Sequence, residues 1–306
     1  MLIYDHIAKN RTKIILITAL FPIILSVLIY LTIYLVHFFE GSYVKGVSVL
    51  QRTNSLAATV IPIVFAVALI WMLFSYLNEG KMLVNMTGAQ KITKDSHFAI
   101  YSMVENVAMT AGLPTPEVYL IPEQGCNAFA AGVKPETAVL AMTEGIVKKL
   151  TKPQLEGVIA HEMAHIGNRD VALMIMIVSG IGVLTLIGNI LIRVRGRSRG
   201  KGAALIPLLG LVFLLYGFLI APLIRMMLSR RQEYQADATA ALITRDPEAL
   251  AEALEAISGR SEISAFKGQS MASSMCFMPA SLSGLFDTHP PIEKRIAALR
   301  DMLNNR

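Results

Sequence analysis

Four long apolar runs without Asp, Glu, Lys or Arg constrain this chain more than any other feature of its sequence. They occupy residues 14–39, 56–77, 171–192 and 203–224. Each has about 20 residues or more, enough for an α-helix to cross the roughly 30 Å hydrocarbon core of a bilayer. The alternative, buried helices of a soluble protein, stays open mainly for the last two runs. We therefore predict an integral membrane protein, mainly α-helical, with about four transmembrane or membrane-embedded helices.

Composition narrows the class of protein further. Hydrophobic residues make up 54% of the 306 residues and charged residues 16%, which excludes intrinsic disorder. The two cysteines are too few for a disulfide framework or a Cys-based zinc finger. The net charge of +6 is unevenly placed, because residues 171–232 contain eight Lys or Arg and no Asp or Glu. This basic segment flanks apolar runs, so it predicts contact with anionic lipid headgroups and no nucleic-acid partner.

Positive charges also predict the orientation in the membrane. Residues 9–13 carry three Lys or Arg just before the first run, and cytoplasmic flanks are enriched in these residues. We expect a cytoplasmic N-terminus and, after two spans, a cytoplasmic segment 78–170. The basic loop 193–201 would lie outside if both later runs crossed, which the same rule disfavours. The hairpin 171–224 therefore either crosses despite its charge or dips into the membrane.

The polar remainder of the chain predicts one water-facing domain. Residues 78–170 and 225–306 are each too small to look independent, so we expect them to pack together as one domain. Residues 1–77 form the two N-terminal transmembrane helices with a short loop, and 171–224 form the embedded hairpin. Three short strands are predicted in the water-facing domain, at residues 117–121, 127–131 and 138–142.

One motif in that domain has the spacing of a metal site. His161 and His165 flank Glu162 in the sequence His-Glu-Met-Ala-His. Thr151 and Gln154 have capping-box spacing, which predicts that a helix begins there and holds the motif. Residues four apart share a helix face, so the two imidazoles can bind one Zn²⁺ with the glutamate close to it. A surface helix with these residues by chance is the less favoured alternative.

A second acidic pair supplies the remaining groups that a zinc hydrolase needs. Such enzymes have three protein ligands and keep the fourth position open. Glu233 and Asp237 stand four residues apart on a predicted helix. Glu233 is the candidate third ligand, and Asp237 can accept a hydrogen bond from a ligand histidine and orient its ring. We predict one zinc ion per chain.

These motifs, taken with two others in the same order, resemble a known family. The set resembles that of the HtpX membrane zinc metalloproteases, which are relatives of the CAAX-prenyl endopeptidases, and the resemblance covers essentially the whole chain. It implies an α+β, gluzincin-like zinc-protease domain with a small sheet. The motifs are Asn127-Ala128-Phe129, His161-Glu162-Met163-Ala164-His165, Glu233-Tyr234-Gln235-Ala236-Asp237 and Thr288-His289-Pro290-Pro291.

The resemblance also implies roles for individual residues of the metal centre. Glu162 is the general base that takes a proton from the attacking water. Asp237 supports a ligand histidine, and Arg295 reaches the site or Asp237. The implied zinc ligands are His161, His165 and Glu233.

Two further implied roles concern the substrate. Asn127, Ala128 and Phe129 resemble the edge strand that pairs with an extended substrate, and main-chain pairing explains a broad sequence tolerance. His289 resembles the histidine expected to stabilise the tetrahedral oxyanion. A histidine that merely begins the last helix is the alternative for that position.

The implied function is that of a membrane-bound zinc endopeptidase in protein quality control and the stress response. It hydrolyses peptide bonds of damaged or misfolded inner-membrane proteins, cleaves itself, and works at the cytoplasmic face of a multi-pass protein. A CAAX-prenyl-type peptidase would need more than four apolar runs. A membrane adaptor or holdase with a structural zinc would usually have four protein ligands, and a zinc transporter would hold its ligands within the spans.

Overall fold

The computed structural model describes residues 3–40, 47–193, 205–215, 221–258 and 291–304. The chain is mostly helical, as the apolar runs predict. Its helices are α1 (Ile3–Glu40), α2 (Val49–Met86), α3 (Phe98–Thr110), α4 (Glu144–Lys149), α5 (Lys152–Asn168), α6 (Asp170–Arg193), α7 (Leu205–Leu215), α8 (Ala221–Thr244), α9 (Pro247–Ile257) and α10 (Ile292–Asn304). Its strands are β1 (Gln90–Lys91), β2 (Glu117–Ile121), β3 (Ala128–Ala131) and β4 (Val139–Thr143).

Two of the described helices are long and apolar enough to cross a membrane. They cover Asn10–Phe39 in α1 and Val49–Leu77 in α2, and they coincide with the first two apolar runs. Two shorter apolar helices, Ser179–Arg193 and Ile206–Leu215, fall in the later runs. The 11 residues of α7 rise about 16 Å, roughly half of the hydrocarbon thickness. Four full spans therefore stay a prediction.

The chain forms two compact units, and one of them is built from the apolar helices. This unit comprises residues 12–75 and 176–223. Helices α6 and α7 approach so closely that a Cβ on Gly188 would lie 2.9 Å from the Gly210 backbone oxygen, and one on Gly210 would lie 2.8 Å from that of Gly188. Backbone contact at small residues is typical of helices packed in lipid. A small apolar core lies in the same unit, made of Leu25, Ile29, Ala68, Leu184 and Phe213.

The other unit comprises residues 1–11, 76–175 and 224–306 and contains a mixed four-stranded sheet. The strand order is β1-β2-β4-β3, with β2 and β4 parallel and β3 antiparallel to β4. The three predicted strands are present, and β1 is an addition of two residues antiparallel to β2. Within the described residues, β3 pairs with β4 alone and so forms an edge of the sheet.

Helix α5 carries the metal-site motif and packs against the edge strand. It begins where the capping-box spacing predicts, with Gln154 Oε1 accepting the Thr151 backbone N–H at 3.0 Å. Its Gly157 lies against α9, where an added Cβ would stand 3.2 Å from Leu250 Cα. Helix α5 ends at Asn168, because Arg169 adopts a left-handed conformation with φ 61°. The chain therefore turns between α5 and α6 and does not continue as one helix.

Candidate metal centre

The two motif histidines bring their Nε2 atoms together on one face of α5. His161 is 1% exposed, and its Nε2 lies 3.1 Å from Nε2 of His165. The rings meet edge to face with their centroids 4.7 Å apart. Nε2 atoms at this distance can share one N–H···N hydrogen bond, or both can direct their lone pairs at one bound ion. The geometry is that of two ligands aimed at one ion.

Glu233 from α8 completes a group of three ligand atoms. Its Oε2 lies 3.6 Å from His161 Nε2, and its Oε1 lies 3.5 Å from His165 Nε2. The ligand atoms of the three residues all lie within 4.8 Å of one another. Two ligands on one tetrahedral Zn²⁺ at about 2.0–2.1 Å stand about 3.3 Å apart. The observed separations, and the two-nitrogen, one-carboxylate donor set, therefore fit zinc.

Each of the two histidines has a carboxylate behind its Nδ1 atom. His161 Nδ1 is 2.9 Å from Asp237 Oδ1, and His165 Nδ1 is 3.1 Å from Asp170 Oδ2. A carboxylate at Nδ1 accepts the N–H there and leaves the Nε2 lone pair for a metal. The sequence motifs indicate Asp237 for this position but give no indication of Asp170.

Arg295 of α10 ties the carboxylates of α8 together. Its Nε and Nη2 donate to Asp237 at 2.8 and 2.7 Å, and its Nη1 lies 3.0 Å from Glu233 Oε2. The side chain is 1% exposed, which makes it one of the most deeply buried large side chains in the described structure. The expected reach of Arg295 to Asp237 is thus a bidentate contact in the structure.

Burial and neighbouring charges have opposing effects on the pKa values of His161, His165 and Asp237. Burial lowers the pKa of His161 to about 4, although Asp237 opposes the shift. Burial also acts to lower the pKa of His165, but hydrogen bonds to Asp170 and Glu233 outweigh it and raise this pKa well above the usual value. Burial would raise the pKa of Asp237, yet Arg295 and His161 lower it to about 2.

Glu162 is held between the ligand helix and the edge strand. Its Oε2 accepts the backbone N–H of Ala130 in β3 at 2.8 Å, and the side chain is 3% exposed. Burial raises the pKa of Glu162 to about 7, although the charge of His165 acts against that rise. A carboxylate of this pKa can both take and return a proton near neutral pH.

The predicted substrate residues lie at the start of that edge strand. Ala128 and Phe129 belong to β3, and Asn127 immediately precedes it. Asn127 is anchored to Thr143, whose Oγ1 accepts the Asn127 N–H at 2.9 Å and donates to the Asn127 carbonyl at 3.0 Å. All three residues are buried. The structure therefore brings this strand beside Glu162, through Ala130.

His289 lies outside the described residues, and so does the segment 259–287, for which many Ser, Met and Gly residues and the lack of a clear period predict a loop. The role of His289 stays a prediction. Of the other candidates, the three ligands, Glu162, Asp237 and Arg295 form one cluster, and Asp170 joins it.

Similarity to known proteins assigns the chain to a family. A profile described as Peptidase family M48 matches residues 97–303. The chain belongs to this peptidase family. The "Protease HtpX homolog" of Bacteroides fragilis (strain YCH46) is 35% identical over 310 residues, covering 95% of this chain and 96% of that protein. The homolog of Dictyoglomus thermophilum is 33% identical, covering 98% and 94%.

A solved structure shows a similar fold. The crystal structure of S. mikatae Ste24p aligns with a TM-score of 0.52 at 16% identity, covering 95% of this chain and 67% of that chain. The predicted resemblance to HtpX proteases is confirmed by the family match and by the relatives. With two helices able to cross a membrane, the M48 chain is a membrane metalloendopeptidase.

Proposed function

We propose that this chain is a zinc-dependent endopeptidase that cleaves damaged or misfolded membrane proteins at the cytoplasmic face of the inner membrane. The convergence of two histidine Nε2 atoms and one glutamate carboxylate in a buried cluster is the observation that supports it most. Glu162 lies beside this cluster and also contacts the edge strand.

We assign the zinc to His161, His165 and Glu233, one ion per chain. When bound, zinc supplies a Lewis acid that polarises the scissile carbonyl and lowers the pKa of a water molecule. Asp237, held by Arg295, keeps the His161 ring in the orientation that directs Nε2 to the ion.

Glu162 moves the proton during hydrolysis. Its carboxylate takes a proton from the water whose oxygen attacks the scissile carbonyl carbon, and it returns a proton to the amine as the C–N bond breaks. The Ala130 N–H fixes the Glu162 carboxylate beside the ligand histidines, where burial keeps it out of bulk water. His289 is the proposed donor that stabilises the oxyanion.

The edge strand is the proposed site of substrate binding. Residues Asn127, Ala128 and Phe129 lead into β3, whose described pairing is with β4 alone. An extended substrate segment added to this edge would gain affinity from main-chain hydrogen bonds, which are independent of side chains. This mode fits a protease of unfolded segments with differing sequences.

The membrane part of the proposal rests on the order of segments along the chain. His165 precedes the apolar run 171–192 by six residues, which keeps the ligands within a short distance of that run. We assign residues 1–77 to two transmembrane helices, 78–170 with 225–306 to the protease domain, and 171–224 to an embedded hairpin. A site near the membrane surface suits the cytoplasmic loops of membrane proteins, including a second copy of this chain, as substrates.

Glu162→Gln tests the catalytic assignment. The variant retains zinc and loses cleavage of casein and of a membrane-protein substrate, because the amide cannot take a proton. His165→Ala loses both zinc and cleavage. Full activity in purified Glu162→Gln, or one zinc per chain in His165→Ala, would contradict the assignment. Zinc binding without cleavage in the wild-type chain would favour the adaptor function instead.

A second experiment tests the topology. A Ser198→Cys variant, with Cys126 and Cys276 replaced by serine, is treated in intact cells with a thiol reagent that cannot cross the inner membrane. Labelling from outside establishes four spans, and protection establishes a re-entrant hairpin.

A further inference from the structure

Asp170 connects a metal-ligand histidine to the first helix of the chain. Its Oδ2 lies 3.1 Å from His165 Nδ1. Its Oδ1 accepts two further hydrogen bonds, from Asn10 Nδ2 at 2.8 Å and from Gln232 Nε2 at 2.7 Å. The side chain is 4% exposed. Asp170 therefore has one oxygen on the candidate ligand and the other held by two amides from α1 and α8.

The side chain of Asn10 is fully buried, and both of its Nδ2 hydrogen bonds are made at this contact. It is 0% exposed, and its Nδ2 bonds offset part of the cost of burying an amide whose Oδ1 has no hydrogen-bond partner in the described structure. Both donated bonds reach the turn between α5 and α6, because Nδ2 also donates to the Asn168 carbonyl at 3.0 Å. Asn168 ends α5 and Asp170 begins α6, so Asn10 bridges the two residues that flank Arg169.

The left-handed turn at Arg169 is what lets Asp170 reach His165. In a continuous helix a residue five positions later points about 140° away from the first. The turn at Arg169 interrupts the helix and brings the Asp170 carboxylate to the Nδ1 side of the imidazole. A residue that fixes this turn also fixes the carboxylate.

We propose that Asp170 is a positioning residue for His165, and that Asn10 and Gln232 set the metal affinity by holding Asp170. The inference rests on the proposed function, in which His165 binds zinc. Asp170 accepts the Nδ1–H and so keeps the Nε2 lone pair directed at the ion. Asn10 lies 160 residues before Asp170 and outside the segment 97–303 that the family profile covers. The metal centre thus includes the helix that continues into the first span.

The test measures zinc affinity, which does not depend on cleavage. Full-length variants in detergent are equilibrated with zinc and a competing fluorescent chelator. Loss of a carboxylate or amide behind a ligand histidine typically weakens metal binding about 10–100-fold. Asp170→Asn is expected in that range. Asn10→Ala and Gln232→Ala each weaken binding by a smaller factor, because each leaves the other amide bonded to the same oxygen.

A matched control and a double variant separate positioning from general destabilisation. Asn189→Ala removes a half-buried amide that donates to the Thr185 carbonyl of its own helix, and we expect it to leave zinc affinity unchanged. If Asn10 acts through Asp170, the variant Asn10→Ala/Asp170→Asn binds zinc no more weakly than Asp170→Asn alone. Independent roles would instead multiply the two losses.

Three results decide the question. Unchanged zinc affinity in both Asn10→Ala and Gln232→Ala, or multiplied losses in the double variant, overturns the inference while His165→Ala still abolishes binding. If His165→Ala also keeps its zinc, the ion lies elsewhere and the proposed function's ligand assignment falls with it. Gln232→Ala keeps the test decisive if Asn10→Ala does not fold.

Discussion

Replacement of Arg295 by leucine gives the sharpest test of how the two buried carboxylates of α8 are stabilised. The guanidinium makes three contacts of 2.7–3.0 Å to Asp237 and Glu233. Leucine removes all three and leaves two carboxylates, 2% and 4% exposed, without this cation. Breaking a buried ion pair from one side typically costs about 3–5 kcal/mol, since the remaining charge stays out of water. In the free energy of unfolding, we expect a loss of that size.

The expected shift in melting temperature follows from the size of the unit that contains the site. For domains of about 150–250 residues, 1 kcal/mol corresponds to about 2–4 °C. Arg295→Leu should therefore melt roughly 6–20 °C below the parent chain. The comparison is made with chelator present, so that the charge of bound metal does not offset the loss.

Cys126 provides the reporter for this measurement. It is 3% exposed and lies in the sheet-containing unit, so it reacts with a thiol-specific dye when that unit unfolds. A Cys276→Ser background leaves Cys126 as the sole thiol.

The control is Arg300→Leu on the same helix. Arg300 also contacts two carboxylates, of Glu248 and Glu255, but its side chain is 42% exposed and water screens the pairs. Arg300→Leu should leave the melting temperature almost unchanged. Equal shifts for Arg295→Leu and Arg300→Leu would refute the reasoning that burial of the charge, and not the number of contacts, sets the cost.

Three other changes have expected outcomes with the same reporter. Asp246 accepts the Ala249 N–H at 3.0 Å at the start of α9. Asp246→Ala removes this acceptor and lowers the free energy of unfolding by about 1 kcal/mol. Asp246→Asn keeps an acceptor and should lower it by less. Gly145→Ala places a Cβ against the Gln124 backbone oxygen and costs about 1–3 kcal/mol. An unshifted melting midpoint would mean that the backbone at Gln124 moves away at little cost. Removal of zinc by a chelator lowers the melting midpoint, and free zinc at 100 times its Kd raises the free energy of unfolding again by about 2.7 kcal/mol. If zinc and chelator had equal effects on His165→Ala, the ion would bind elsewhere.

Local sequence patterns predict much of the ligand helix and sheet. The capping-box spacing places the start of α5, and β2 occupies the predicted residues 117–121. Helix periodicity pairs His161 with His165 because their separation of four residues defines one face. These features succeed because each depends on contacts between residues close in the chain.

Features that depend on distant contacts escape such patterns. Asp170 stands five residues after His165, a spacing that a continuous helix turns away from the ligand, and only the left-handed Arg169 reverses this. Asn10 lies in a helix that reads as a membrane anchor, so its hydrogen bonds to Asn168 and Asp170 have no local signature. Strand β1 has two residues, too few for an alternating pattern.

The fourth apolar run shows a different limit. Hydropathy marks residues 203–224 as one segment, yet the described structure places part of it in α7 and its end in α8. Hydropathy averages over a window and is insensitive to where a helix begins or ends.

The contact of Arg295 with the carboxylates of α8 also bears on the order in which the chain is synthesised. Arg295 follows His161 by 134 residues. At about 5–20 residues per second, the ribosome needs on the order of ten seconds to make that stretch. During this interval His161, Glu162 and His165 already exist, but the guanidinium that pairs with Glu233 and Asp237 does not. The peptidase site of a newly made chain is therefore completed only after both candidate membrane helices, α1 and α2, have been synthesised.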